Sequence, residues 1–304
     1  ARCGLGQTAA RPASGSWSRS AIVESWRLFI VLTSGALINQ AALEPSPIRF
    51  QDVTAEAGLI EPLAGMMGHG GAWGDFDGDG RIDLFVGGFC DRPNSEYAPA
   101  KGPVPNRLFR NLGNGRFESA GQTAVETFGR TSGAVFADLD NNDTLELYVA
   151  NNAQRQSRRA EEPQRSAQLR RSQLFRNDSG RLLDISTASG ACPPELLTAR
   201  NIGVFDFDGD GLLDLFVVED KFTRGGTGPR SILLRNRGGL KFTDATQAAR
   251  LPDDLFGLGW AAADLNGDGQ ADFFVGHSNR LFLRQPDHTY REAVELRELF
   301  AHHP

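Results

Sequence analysis

The sequence is poor in sulfur and has no apolar run long enough to cross a membrane. Its 304 residues include two methionines and three cysteines, and none of the cysteines has the CxxC or Cys/His spacing of a zinc site. Cys90 and Cys192 are either one disulfide or two separate buried thiols. The main apolar stretch, residues 28–38, is shorter than the ~20 residues that a membrane-spanning helix needs.

Common catalytic motifs are missing as well. The chain contains no GxSxG, no P-loop and no HExxH, which removes the sequence signatures of serine hydrolases, nucleotide-binding enzymes and zinc proteases. The formal net charge is −6. An acidic protein disfavours nucleic acid as a partner, because phosphates bind basic surfaces. The charge balance favours cations instead.

The N-terminal region resembles a secretory signal. Residues 1–42 begin with a basic leader, continue through the apolar run 28–38 and end in small residues, which is the order found in signal peptides. Residues 43–47 then form a linker, and residues 48–304 form one domain. We therefore expect a secreted protein, either extracellular, periplasmic or on the cell surface. The alternatives are that this region forms a short buried helix or an uncleaved membrane anchor. We expect the protein to associate with a membrane only in the case of the uncleaved anchor.

A repeat runs through the rest of the chain, which is rich in glycine, at 35 residues. Four segments align with one another, and their first aspartates lie 63, 68 and 58 residues apart. The segments are 72–86, 134–149, 203–217 and 261–275. Each is followed by a second repeated element with a strand, a tight turn and another strand, at 106–119, 172–186, 231–246 and 279–293.

Each unit therefore has about four strands, which predicts the all-β fold of a β-propeller with four-stranded blades. A single blade cannot bury both faces, so neighbouring blades have to cover each other. Residues 48–59 look like the closing strand of one more hairpin, standing alone before the first unit. Trp73 and Trp260 lie shortly before acidic loops, and we interpret both as packing between blades.

The most informative feature of the repeat is its acidic loop, at residues 75–83, 138–146, 206–214 and 264–272. Numbered from the first aspartate, positions 1, 3, 5 and 9 carry side-chain oxygens, and position 7 offers its backbone carbonyl. The predicted ligands are Asp75, Asp77, Asp79, Arg81 and Asp83; Asp138, Asp140, Asn142, Thr144 and Glu146; Asp206, Asp208, Asp210, Leu212 and Asp214; and Asp264, Asn266, Asp268, Gln270 and Asp272.

Such an all-oxygen set suits calcium, which takes 6–8 oxygen ligands, better than magnesium. Without a cation, carboxylates this close would repel one another. An EF-hand is excluded because position 12 is valine in every loop, at Val86, Val149, Val217 and Val275, where that motif needs glutamate. We expect up to four calcium ions, one per loop. The second loop should bind most weakly, because Asn142 replaces a carboxylate at position 5.

The motifs FDGDGxxDLFV, NRLFRNxGNGRF and FxDVTxxAGL resemble FG-GAP/VCBS repeats, found in integrin α-subunit propellers and in the cartilage acidic protein (ASPIC/UnbV) family. The resemblance covers residues 48–293. It implies one calcium ion per loop on the face of a propeller that usually has seven blades. Seven blades need roughly 420 residues at ~60 each, so we interpret the chain as part of a longer protein; a ring with fewer blades is the alternative.

These observations predict a non-enzymatic, extracellular adhesion or interaction module in which calcium is structural and the ligand is a protein or a glycan. A fully ligated ion leaves no open position for chemistry. Two alternatives use the same fold: a calcium-stabilised carbohydrate-active enzyme, and a lectin with repeated sugar pockets. An enzyme should carry one unrepeated catalytic cluster, and a lectin should carry the same aromatic and polar residues in every blade.

Overall fold

The computed structural model describes residues 49–90, 94–153, 170–220 and 230–296. The predicted leader 1–42 and the linker 43–47 lie outside these residues. The regular secondary structure of the described part is almost wholly β-strand, as predicted. No helix among the described residues is long and apolar enough to span a bilayer.

In the part of the chain that the structure describes, sixteen strands form four antiparallel sheets, and each sheet is a simple meander of four consecutive strands. The first sheet contains β1 (Gly68–Gly74), β2 (Asp83–Gly88), β3 (Arg107–Gly113) and β4 (Arg116–Ser119). The second contains β5 (Thr131–Ala137), β6 (Glu146–Asn151), β7 (Gln173–Asp178) and β8 (Arg181–Asp184). The third contains β9 (Ala199–Phe205), β10 (Asp214–Glu219), β11 (Ile232–Asn236) and β12 (Phe242–Asp244). The fourth contains β13 (Gly257–Ala263), β14 (Asp272–His277), β15 (Arg280–Arg284) and β16 (Tyr290–Glu292).

Helical structure among the described residues is limited to single turns. Two are α-helical, α1 (Ile60–Leu63) and α2 (Ser186–Ser189), and two are 3₁₀ turns, at Asn94–Tyr97 and Val294–Leu296. Four four-stranded meanders in sequence are the arrangement of propeller blades. The predicted fold class is therefore confirmed.

Consecutive sheets pack face to face through alternating residues of their second strands. In β6, Leu147 and Val149 enter the core shared with the first sheet, whereas Tyr148 and Ala150 enter the core shared with the third. Successive side chains of a strand point to opposite faces of the sheet. The second and third sheets are therefore apolar on both of their faces. Trp260 lies between the third and fourth sheets and donates its indole N–H to the carbonyl of Ile202 at 3.1 Å, as predicted for a packing residue.

An asparagine at the end of the third strand links each of the two middle sheets to the sheet before it. The side-chain amide of Asn177 donates to the carbonyl of Phe76 in the first acidic loop at 2.7 Å and to Leu145 in its own loop at 3.0 Å. Asn236 repeats this with Leu139 at 2.7 Å and Leu213 at 3.0 Å. These bonds join consecutive acidic loops. The repeated Arg-Asn pair that ends the third strand was visible in the sequence, but its linking role was not predicted.

The structure decides two further points that the sequence raised, the strand expected before the first unit and the possible disulfide between Cys90 and Cys192. Residues 49–59 form no strand; they contain turns before α1, because no strand among the described residues pairs with them. Cys90 and Cys192 are not joined to each other by a disulfide. Burial raises the pKa of Cys192 to about 12, which leaves it an inert packing residue.

Glu219, at the end of β10, is a buried acid away from the acidic loops. Its carboxylate accepts hydrogen bonds from the backbone N–H of Thr198 at 2.9 Å, from the Thr198 hydroxyl at 2.8 Å and from the N–H of Leu197 at 3.2 Å. Burial nevertheless raises its pKa to about 7, above the usual 4.5. The folded protein therefore holds a proton that the unfolded chain releases at lower pH.

We expect the difference in unfolding free energy between wild type and Glu219→Gln to depend on pH. The contribution of Glu219 is fully present below pH ~4.5 and falls by roughly 3 kcal/mol as the pH rises past about 7, because one pKa unit is worth about 1.4 kcal/mol. Urea titrations from pH 4 to 8 measure it. Glu118→Gln, at an exposed position on β4, is the control, and a pH-independent offset for Glu219→Gln would contradict the assignment.

Candidate calcium site

Each acidic loop joins the first and second strands of its sheet, so one hairpin geometry is used four times. The ninth-position acid begins the second strand directly opposite the last residue of the first, as in the pairs Gly74–Asp83 and Phe205–Asp214. The four acids at this position, Asp83, Glu146, Asp214 and Asp272, are all fully buried.

The ninth-position carboxylate ties the loop to the third strand. In the third sheet, one oxygen of Asp214 accepts from the N–H of Phe207 at 2.8 Å, and the other accepts from the N–H of Asn236 at 2.7 Å. Asp83, Glu146 and Asp272 make the equivalent pairs of bonds in their sheets. This acid therefore has a structural task whether or not it also binds an ion.

The first-position aspartate folds the loop around itself. Asp75 accepts hydrogen bonds from the N–H groups of Gly78 at 2.9 Å, Asp79 at 3.1 Å and Gly80 at 2.8 Å. Asp264 makes the same three contacts in the fourth loop. The fifth-position side chains, Asp79, Asn142, Asp210 and Asp268, accept from the N–H of position 7, which fixes the orientation of Arg81, Thr144, Leu212 and Gln270.

The third-position aspartate is the least satisfied member of the loop. One oxygen of Asp77, one of Asp140 and both of Asp208 are buried and accept no hydrogen bond from the described residues. Because buried polar atoms are almost always paired in folded proteins, such oxygens at the same position of three loops indicate a missing ligand. An arginine of the third strand contacts this position in two sheets: Arg110 Nε lies 2.5 Å from Asp77 Oδ2, and Arg235 Nε lies 2.5 Å from Asp208 Oδ2.

The structure groups many, but not all, of the predicted ligands. Carboxylate oxygens of Asp75, Asp77 and Asp83 lie within 4.8 Å of one another, as do those of Asp138, Asp140 and Glu146 and those of Asp206, Asp208 and Asp210. The fourth loop, with Asn266 at position 3, does not bring three carboxylates together in this way among the described residues. A shared hard cation fits this donor set, since calcium is bound by oxygens of this kind.

The backbone of the second loop matches the other three although it lacks their glycines. Gly78 and Gly80 have positive φ of 73° and 84°, and Asn141 and Asp143 hold the same positions with 57° and 65°. Asparagine and aspartate tolerate this left-handed region better than other residues with a Cβ. The looser sequence of the second loop therefore preserves the loop conformation.

We expect Gly80→Ala to destabilise the protein by about 1–2 kcal/mol, the cost of a left-handed alanine. A Cβ at Gly80 would meet no atom within 4 Å, so the cost is conformational and not steric. Gly80→Asn should cost less, as Asn141 and Asp143 show. Denaturant titrations compare the two variants, with Gly102→Ala as a control outside the loops; equal costs for alanine and asparagine would contradict the conformational explanation.

Burial and like charges make these carboxylates costly to ionise in the absence of a cation. Burial raises the pKa of Glu146 to about 7 and that of Asp214 to about 6, and the neighbouring aspartates add to both shifts. The pKa of Asp83 and that of Asp140 are raised for the same reasons. A divalent cation would reverse these shifts, because opposite charge favours the ionised form.

Repeated four-stranded sheets, each opened by an acidic loop in the same register, define a propeller-type repeat protein. Residues 75–149 and 206–275 match the FG-GAP-like repeat family. The chain therefore carries FG-GAP-like repeats in these two regions, and the predicted resemblance is confirmed.

Two curated relatives are cartilage acidic protein 1 of Mus musculus, 30% identical over 173 residues, and cartilage acidic protein 1 of Homo sapiens, 29% identical over 173 residues. The alignments cover 55% of this chain but only 23% and 22% of those proteins, so the chain spans less than a quarter of their length. Among solved structures, the crystal structure of the V. cholerae biofilm matrix protein Bap1 matches with a TM-score of 0.38 and 17% identity, over 74% of this chain and 30% of that one.

Proposed function

We propose that this protein is a calcium-stabilised extracellular interaction module without catalytic activity. The observation that carries the proposal is the unsatisfied, buried oxygen at position 3 of three loops, each beside two further carboxylates. The FG-GAP-like repeats and the similarity to cartilage acidic protein 1 support an extracellular role.

The calcium ion would be held by positions 1, 3, 5 and 9 of each loop, together with the carbonyl at position 7. Position 3 is the best candidate for a direct ligand, because at least one of its oxygens accepts no hydrogen bond from the described residues in three loops. The guanidiniums of Arg110 and Arg235 hold the other oxygen of Asp77 and Asp208 in place. The ion would neutralise carboxylates that otherwise resist ionisation, and its role would be structural.

Calcium titration by calorimetry tests the metal part of the proposal. We expect three or four sites in the full chain, with dissociation constants of about 10⁻⁴–10⁻³ M, the range of extracellular calcium modules. Asp208→Ala should remove one site. Leu112→Ala changes an exposed residue of the hairpin β3–β4 outside the loops and should leave the stoichiometry unchanged. No calcium-dependent heat, combined with no retention of radioactive calcium on a filter, would refute this part.

Secretion and ligand binding test the interaction part. We expect the protein to be exported, and we expect its ligand to be a protein or a glycan. A glycan array probed in calcium and again in chelator distinguishes the two classes: calcium-dependent binding to one sugar type supports a glycan ligand and the lectin alternative, whereas no binding to any sugar leaves a protein ligand. Retention of the chain inside the cell would contradict an extracellular role.

A further inference from the structure

The full sequence contains two Asn-Gly dipeptides, Asn114–Gly115 and Asn266–Gly267, and the structure places them in different surroundings. Asparagine followed by glycine is the dipeptide most prone to deamidation, because glycine has no side chain to hinder the attack of its nitrogen on the asparagine amide. Both dipeptides are exposed to solvent, and a Cβ at either glycine would meet no atom within 4 Å. Steric access is therefore the same at the two sites.

Asn266 is held in place by the fourth acidic loop. Its side-chain oxygen accepts a hydrogen bond from the N–H of Asp268 at 2.9 Å, and its side-chain nitrogen donates one to Asp268 Oδ2 at 2.9 Å. The N–H of Gly267, whose nitrogen would be the nucleophile, donates to Asp264 Oδ1 at 2.8 Å. These three hydrogen bonds have to break before a ring can close at this site.

Asn114 is not restrained in this way. It is the first residue of the two-residue turn between β3 and β4, where its φ is 53°. Neither its side chain nor the N–H of Gly115 makes a hydrogen bond to the described residues. Among the described strands β4 pairs with β3 alone, so the turn lies at the edge of its sheet. An edge turn of this kind can open without disturbing the inner strands.

We propose that Asn114 is a site of spontaneous deamidation in the folded protein and that the fourth loop protects Asn266 from the same reaction. The nitrogen of Gly115 loses its proton to hydroxide and attacks Cγ of Asn114. The bond from Cγ to Nδ2 breaks, and the nitrogen leaves as ammonia after it takes a proton from water. A water molecule then opens the cyclic imide. The sum is one water consumed and one ammonia released, and no oxidant or reductant is needed.

The imide opens to either of two products. Cleavage of its bond from Cγ to the glycine nitrogen gives aspartate, which adds a negative charge and suits the turn, since Asp143 has a φ of 65° in the second loop. Cleavage at the backbone carbonyl gives isoaspartate, in which the main chain runs through the former side chain and is one methylene longer. The longer main chain does not fit a two-residue turn, so the pairing of Gly113 with Arg116 should be lost.

Mass spectrometry of the aged protein tests the proposal. The full chain is incubated at mildly alkaline pH in EDTA, at a temperature where circular dichroism shows it folded, so that a bound ion cannot account for any protection. Digested samples are followed for the gain in mass when OH replaces NH₂. We expect Asn114 to deamidate at least about tenfold faster than Asn266, because of the hydrogen bonds that hold Asn266. In urea, where these bonds are absent, the two sites should react at similar rates.

The matched control is Asn114→Gly. Glycine tolerates the positive φ of the turn but has no amide to lose, so deamidation within residues 111–116 should vanish while the rate at Asn266 is unchanged. Enzymatic methylation of isoaspartate should label the aged wild type more strongly than this variant. Equal rates at the two asparagines in the folded chain would overturn the proposal, as would an Asn114 that reacts only in urea. A difference that persists in full in urea would overturn it as well, since the neighbouring sequence and not the fold would then be its cause.

Discussion

Removal of calcium should lower the melting temperature of this protein by about 15 °C or more. Each ion at a hundredfold excess over its dissociation constant contributes about 2.7 kcal/mol, and for a domain of this size one kcal/mol shifts the melting temperature by about 2–4 °C. In each of three loops of the described structure, three carboxylates have oxygens within 4.8 Å of one another, so at least three ions should act together. Thermal melts followed by circular dichroism in calcium and in EDTA measure the shift.

Variants at position 3 make this test specific to the loops. In calcium, Asp208→Ala should lower the melting temperature more than Asp140→Ala, because the third loop has Asp210 at position 5 where the second has Asn142. In EDTA the difference between the two variants should shrink, since no ion is left to lose. Re-addition of calcium, but not of equimolar magnesium, should restore the wild-type melting curve. A melting temperature that does not respond to the chelator would rule out a structural cation.

Substitution of an asparagine that links two sheets should lower the free energy of unfolding more than any other single substitution at a polar position. Asn236 is fully buried, its amide serves the carbonyls of Leu139 and Leu213, and its oxygen accepts from the N–H of Gly238 at 3.0 Å. Substitution by alanine leaves buried groups without partners, at about 1–3 kcal/mol each, so we expect Asn236→Ala to cost about 3–5 kcal/mol. Urea denaturation in saturating calcium measures this cost.

Two further substitutions separate the link from the local turn. Asn236→Asp keeps the acceptor for Gly238 but removes both donors, so it should be at least as damaging as alanine. Asn111→Ala removes the equivalent side chain from the first sheet, where the side-chain amide donates a hydrogen bond to the carbonyl of Ile82 in its own loop. This substitution should lower the free energy of unfolding clearly less than Asn236→Ala. If the Asn111 and Asn236 variants lose the same free energy, the bond to the preceding loop contributes little.

Much of the fold was predictable because the repeat is regular. The strands around each acidic loop, the hairpin after it and the stacking of sheets follow from alternating apolar residues and from glycines that need positive φ. The ninth-position acids begin the second strands, and their hydrogen bonds to the third strands were not predicted. Residues 49–59 show the limit of such reasoning: their sequence has the pattern of a strand, but a strand forms only where a partner edge is available, and none of the described strands pairs with them.

The sequence by itself determined the local features of this protein: four acidic turns, the strands on either side of them, and a chemistry of oxygen ligands suited to a hard cation. These depend on residues close together in the chain. Only the tertiary structure decided which loop oxygens accept no hydrogen bond from the described residues, and which arginines and asparagines reach the loops from other strands. Those properties depend on distances between residues such as Phe76 and Asn177, which lie far apart in sequence and meet only when one sheet packs on the next.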